Sequence, residues 1–362
     1  MRRATFVFLA ALALCVGAHT RGGGQAVGPA QDPLRADADF VKVHDKGGAL
    51  CGNFFKPDEE EKNGKKCGVS GVALLEPPAG GVIKLLVVHD VKPDSGEDWQ
   101  HLGVVTLDPK SAGGVNYQPL KWPDGSVPPD GVSSPPNDLE AVTSVPGRPN
   151  LFLAVNSKGR VFPLTVSGES VTRAQSFTLP DLQKQGQIEG LSVQRLKGGQ
   201  TVIAWGYRGA GELKGLLYFG LLNLEKMTGV GTKRPEEIVT DWGWTTVAVQ
   251  YPPPQDSNTR HISDLKVDEE GQVWASAAHD PNDTVGPFVS AAYKLGVLDA
   301  SQTPVRFKQY EDLPLVRTFK RKIEGIELLP GGVFIFASED EARGGWLLKW
   351  TRPAERGGPP KE

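Results

Sequence analysis

One short pattern recurs five times along the chain and constrains the fold more than any other feature. It reads aliphatic residue, polar or acidic residue, small residue, then the start of a strand. It occurs as Val69-Ser70-Gly71-Val72, Leu139-Glu140-Ala141-Val142, Ile188-Glu189-Gly190-Leu191, Ile262-Ser263-Asp264-Leu265 and Ile323-Glu324-Gly325-Ile326. The second positions are 70, 49, 74 and 61 residues apart, room for about four short strands in each module. A repeated four-stranded unit that buries its faces against its neighbours is the signature of a β-propeller.

The text between the repeats agrees. With 44 Gly and 29 Pro in 362 residues, helical bundles and coiled coils are excluded, because both residues break helices. Short alternating runs bounded by Gly, Pro, Asn and Asp predict strands at 85–88, 151–155, 202–205, 216–222, 273–277 and 333–336. Residues 182–185 offer one helical turn at most. In the second module the strands fall at 139–145, 151–157, 160–166 and 171–179. The last module holds only three, at 323–328, 333–338 and 346–350, so residues 40–44 are expected to supply its outer strand and close the ring. The prediction is an all-β, five-bladed propeller, one domain over 37–352. Six blades would require a split module, and a sandwich leaves the repeat unexplained.

Residues 1–18 read as a secretory signal peptide: Arg2 and Arg3, an apolar run, then Val16-Gly17-Ala18 before the cut. Residues 19–36 read as a flexible leader and 353–362 as a disordered tail. The expected location is periplasmic or secreted, with no membrane span once the signal is removed. Of three cysteines, Cys15 leaves with the signal, and Cys51 and Cys67 remain as a disulfide pair. Closing that loop contributes roughly 3 kcal/mol in the chain-entropy picture. A formal net charge of −3 excludes a broad electrostatic grip on nucleic acid.

The Leu/Ile-Glu-Gly/Ala repeats resemble the SdiA-regulated and phytase-like families of secreted propellers, and still more a related, uncharacterised bacterial propeller family. The stretches that carry the likeness are Gln187-Ile188-Glu189-Gly190-Leu191-Ser192, Trp205-Gly206-Tyr207-Arg208-Gly209, Arg260-His261-Ile262-Ser263-Asp264-Leu265, Lys322-Ile323-Glu324-Gly325-Ile326 and Ala337-Ser338-Glu339-Asp340. The resemblance implies that Glu140, Glu189 and Glu324 face the central channel and hold a calcium ion. Ser70 and Ser263-Asp264 depart from the pattern in the other two blades.

Chemistry gives the same residues two readings. Three glutamates brought together in a narrow channel raise one another's pKa, and Ca²⁺, which takes six to eight oxygens, resolves the conflict, with Ser70 and Asp264 as further oxygen ligands. Alternatively the glutamates pair with Arg208, Arg321 or Lys322 and pin the blades. A second set follows the second strands: His89-Asp90, Asn156-Ser157-Lys158, Tyr207-Arg208, His279-Asp280 and Ser338-Glu339-Asp340. Matching positions gather on one face, so Asp90, Arg208, His279, Asp280 and Glu339 are candidates for a small polar or anionic ligand, with Arg208 as the clamp. Satisfied structural histidines and ordinary strand-end chemistry are the plainer reading.

There is no Gly-x-Ser-x-Gly elbow, phosphate-cradling loop or His-Glu-x-x-His helix. Two functions stay open: a metal-assisted hydrolase of phosphoesters or other esters, and a non-catalytic ligand- or protein-binding scaffold with structural calcium.

Overall fold

The computed structural model describes residues 41–42, 68–90, 101–110, 114–123, 136, 138–180, 187–210, 212–229, 234–249, 256–281, 286, 288–310, 314–318, 320–340 and 344–352. The expected signal, leader, tail, helical turn at 182–185 and Cys51–Cys67 pair lie outside these residues. The described residues belong to one compact unit, 34–362.

Five antiparallel sheets follow one another as blades of a propeller. Blade I comprises Gly71–Ala79, Val82–Val88, Leu102–Leu107 and Val115–Leu120. Blade II opens with Leu139–Ser144, Leu151–Asn156 and Arg160–Ser167. Blade III comprises Ile188–Arg195, Thr201–Tyr207, Gly215–Leu222 and Val239–Val247. Blade IV opens with Thr259–Val267, Gln272–His279 and Val289–Asp299. Blade V comprises Ile323–Leu329, Val333–Glu339 and Gly345–Thr351. Its fourth strand is Val41–Lys42, which pairs Val41 with Leu347 and Lys42 with Trp346, so the N-terminal segment closes the ring as the repeat count requires.

Two outer strands depart from the expectation. In blade II the single strand expected over 171–179 is two, Ser170–Arg173 and Phe177–Thr178, both paired with the third strand. The break lies opposite Pro163, whose carbonyl accepts from Ala174 N at 3.0 Å but which has no N–H to return. Blade IV divides likewise into Arg306–Gln309 and Pro314–Thr318. Two short helices, Leu224–Thr228 and Pro235–Ile238, lie between the last two strands of blade III. Their signals are local: Asn223 caps the first by accepting from Lys226 N, and Pro235 opens the second. Among the described residues, no helix is long and apolar enough to cross a membrane.

The core is divided as a propeller requires. Each of the five blade-to-blade interfaces has its own apolar cluster, for example Ala141, Leu153 and Val155 of blade II against Ile188, Leu191 and Trp205 of blade III. The repeated motif has a packing cause. A Cβ on Gly71 would lie 2.7 Å from the Ala141 Cα, and one on Gly190 would lie 2.7 Å from the Leu265 amide nitrogen. The small residue therefore lets consecutive first strands approach backbone to backbone, and these five strands touch one another in a closed ring. Polar pins cross the same seams: Val193 N donates to Thr143 Oγ1 (3.2 Å), Val267 N to Ser192 Oγ (2.9 Å) and Ile326 N to Asp264 Oδ2 (2.6 Å). Trp244, on the outer strand of blade III, is 50% exposed, whereas Trp242 is partly buried against the blade II–III core.

Candidate functional site

The three motif glutamates share a backbone device. Pairing of the first and second strands runs from Leu139 opposite Asn156 directly to Ala141 opposite Val155, which leaves Glu140 in a bulge. Ile188 and Gly190 bracket Glu189 in the same way, and Ile323 and Gly325 bracket Glu324. A bulge inserts one residue and re-aims its side chain, here away from the alternating faces that pack between blades. All three glutamates are buried.

Their surroundings differ. Glu189 and Glu324 meet cations. Arg260 donates through Nη1 to Glu324 Oε1 (2.8 Å) and through Nη2 to Asp280 Oδ2 (2.7 Å), and its Nη1 lies 3.9 Å from Glu189 Oε2. Lys322 Nζ lies 2.9 Å from Glu339 Oε2 and 3.3 Å from both Asp280 Oδ2 and Glu324 Oε1. Arg208 adds one longer contact, Nη1 to Glu189 Oε1 at 3.4 Å, and its side chain stays 32% exposed. Blades III, IV and V are thus knitted together by alternating charge. Burial raises the pKa of Glu189, opposed by Arg260, Arg208 and Lys322. Burial also lifts Glu324 well above the ordinary value, against Lys322 and with Glu339 adding to the rise.

Glu140 has acidic company instead. Carboxylate oxygens of Asp90, Asp138 and Glu140 all lie within 4.8 Å of one another. Burial is the largest cause of the rise in the Glu140 pKa well above the usual range, and Glu189, Asp90, Asp138 and Glu324 all push it further the same way. Asp138 sits at a positive φ of 66° directly before its motif and accepts a hydrogen bond from Ser157 Oγ. Asp90 follows the second strand of blade I, where its backbone N–H donates to Ser70 Oγ (3.0 Å).

Of the residues expected at the ligand site, Asp90, Arg208, Asp280 and Glu339 therefore converge on the two halves of this channel cluster. His279 turns away, its Nε2 3.1 Å from Asp256 Oδ1. His89 is buried, bonded through Nδ1 to Gly68 O (2.7 Å) and through Nε2 to the Tyr117 hydroxyl (3.0 Å), and burial lowers its pKa. Of the residues expected to hold metal, Glu140 lies in the all-acid group and Ser70 beside it. Glu189 and Glu324 lie in the ion-paired group. Asp264 lies in the seam between blades IV and V, its Oδ2 bonded to Ile326 N and its pKa raised by burial.

Asp138 was not among the residues singled out from the sequence, Arg260 appeared there only within a resembling stretch and without a role, and Lys322 was named only as a pairing partner. Their common signal is position: Asp138 and Lys322 immediately precede the motif, and Arg260 stands two residues before Ile262. In blade IV the pairing slips between Arg260 and Asp264, and the irregularity gives Arg260 its central place.

No family model matches the chain, and no curated protein matches it. Solved structures do. The GH43_1 enzyme from Xanthomonas citri superposes with a TM-score of 0.38 at 12% identity, covering 82% of this chain and 94% of that one. A glycosyl hydrolase from Bacteroides ovatus gives 0.40 at 13%, covering 80% and 86%. The β-propeller domain of Myceliophteria thermophila Cps50 (Swd1) gives 0.31 at 10%, covering 78% and 83%. Likeness at this level says nothing of chemistry.

Proposed function

We propose that the protein is a hydrolase of anionic esters, phosphoesters first among them, whose channel site holds a divalent cation on Asp90, Asp138 and Glu140. The observation that carries the reading is the convergence of these three carboxylates, with burial, Asp90, Asp138, Glu189 and Glu324 all favouring the neutral form of Glu140 unless a positive charge joins it. Such a donor set fits a hard cation, which takes carboxylate oxygens readily. When bound, the ion supplies Lewis-acid polarisation of a substrate oxygen. The chain's own residues do the remainder. Arg208, partly exposed and with one long contact to Glu189, would bind a substrate oxyanion. Arg260 and Lys322 are committed to carboxylates and hold the wall of the site in shape. Burial and the neighbouring acids favour the protonated form of Glu140, so protons compete with the cation for this group and uptake would weaken as pH falls.

A second reading is favoured by the ion-paired half. Arg260 and Lys322 join carboxylates of three blades, the work of a structural hub in a non-catalytic binding scaffold. Metal analysis of the purified protein, followed by phosphoester, lactone and glycoside screens with and without calcium, separates the two. Calcium-dependent turnover lost in Glu140→Gln supports the hydrolase. Bound calcium without turnover of any ester leaves the scaffold, and no metal with no turnover removes both the ion and the hydrolase.

A further inference from the structure

The strand-end group of blade II differs from its counterparts. Blades I, III, IV and V place the charged residues Asp90, Arg208, Asp280 and Glu339 there, whereas blade II places Asn156-Ser157-Lys158. Its one cation, Lys158, is exposed, and its buried member is the uncharged Ser157. Ser157 is held from two sides. A tight turn fixes it from behind, where Gly159, at a φ of 74°, donates its N–H to the Asn156 carbonyl (2.8 Å) and Arg160 N donates to Asn156 Oδ1 (2.9 Å). In front, the Ser157 carbonyl accepts from Ile188 N of blade III (3.0 Å), one of the two residues that bracket the Glu189 bulge.

From that position Ser157 grips Asp138 twice. Its N–H donates to the Asp138 carbonyl (3.0 Å) and its hydroxyl donates to Asp138 Oδ2. The grip answers a repulsion, because the Asp138 carboxylate stands within 4.8 Å of those of Asp90 and Glu140, and like charges so close push apart. Asp90 and Glu140 are buried and Asp138 is partly exposed, so Asp138 is the member with room to swing toward solvent. Glu140 marks the place as one that a ligand completes. It is 6% exposed and aimed into the group, yet among the described residues it has neither a hydrogen bond nor an ion pair. A buried carboxylate left in that condition is costly.

We infer that Ser157 is the positioning residue of the cation site, its hydroxyl holding the Asp138 carboxylate in the group against the repulsion of Asp90 and Glu140. The inference rests on the cation reading proposed above and adds the residue that sets the affinity of that site. Ser157 acts through Asp138 alone. A hydroxyl bonded to a carboxylate makes one of the stronger hydrogen bonds, and outer groups of this kind commonly change metal affinity ten- to about a hundredfold.

Titration calorimetry of the whole protein with calcium chloride tests this, paired with melting curves in calcium and in chelator. Ser157→Ala is expected to weaken calcium binding at least about tenfold. Ser157→Thr keeps the hydroxyl and should bind close to wild type. Ser157→Cys preserves the shape but offers only a weak donor, so it should fall between them, and it decides the matter if the alanine variant does not fold. In chelator the alanine and cysteine variants should melt close to wild type, because relief of the repulsion offsets the lost hydrogen bond, and they should lose only the rise that calcium brings. Wild-type calcium binding left unchanged in Ser157→Ala and Ser157→Cys overturns the inference and leaves the cation site standing. A loss that Ser157→Thr does not restore, or a fall in melting temperature as large in chelator as in calcium, also overturns it and makes Ser157 a folding residue. No calcium binding by the wild type overturns both the inference and the cation reading beneath it.

Discussion

The two halves of the channel cluster start from the same device and end with opposite electrostatics. In each, a β-bulge throws a motif glutamate out of the packing faces. Beside Glu324 the residue before the motif is Lys322, and Arg260 arrives from the neighbouring blade. Beside Glu140 the equivalent residue is Asp138, and the strand-end partner is Asp90. Geometry is repeated, then, and charge is not. The lesson is that a propeller fixes where a side chain points through a backbone repeat, while one residue outside the repeat decides whether it meets cations or further acids.

The sharpest break of this contrast is removal of Lys322. Replacing it by Met leaves Asp280, Glu324 and Glu339 buried without their ammonium, a change that costs about 3–5 kcal/mol in comparable buried pairs. Chemical denaturation should show that loss; a change below about 1 kcal/mol would mean the network holds little together. Next in size is Gly190→Ala. Its Cβ meets backbone of blade IV, which cannot step aside, so overpacking of about 1–3 kcal/mol is expected. Wild-type stability at Gly190→Ala would show that the motif's small residue is not a spacing requirement.

Glu140→Gln tests the acid half and should move stability with pH. A carboxyl whose folded pKa is raised above its ordinary value of 4.5 binds more protons folded than unfolded. Stability it contributes is whole below that value, falls as pH climbs through it, and the penalty is complete above the folded pKa. In chelator the wild type should therefore lose melting temperature above about pH 4.5 more steeply than the variant. Calcium should reduce the wild-type slope and leave the variant's nearly unchanged. Coincident pH profiles for the two proteins would remove Glu140 as the source of strain. The smallest structural effect belongs to Arg208→Ala, expected within about 1 kcal/mol of wild type because the side chain is partly exposed. Turnover of an anionic ester should nonetheless fall at least about tenfold. Unchanged turnover would move the anion clamp elsewhere.

Much of the ring was legible because its causes are local. Turn residues set strand lengths, and the small motif residue marks where first strands meet. The missing fourth strand of the last module pointed to residues 40–44, and Val41–Lys42 fills it. The divided outer strand of blade II was also local in origin, written in Pro163, but it needs the pairing register to be noticed. The site was less legible. The position of Glu140, Glu189 and Glu324 follows from the repeat, whereas their partners come from other blades at separations such as the 64 residues between Arg260 and Glu324. His279 was expected on the same face as Arg208, yet it bonds Asp256 of its own blade's approach.

Ring closure by Val41–Lys42 has a consequence for the order of events during synthesis. The segment that completes blade V leaves the ribosome long before its partner, Gly345–Thr351. Until then the early strand has no sheet to join, and the last blade's outer edge is open to any other chain offering a strand. Closing so long a loop adds little entropy per residue but delays the final step. Assembly of this propeller is therefore exposed at its two ends together, and a segment trapping either one stops the circle from forming.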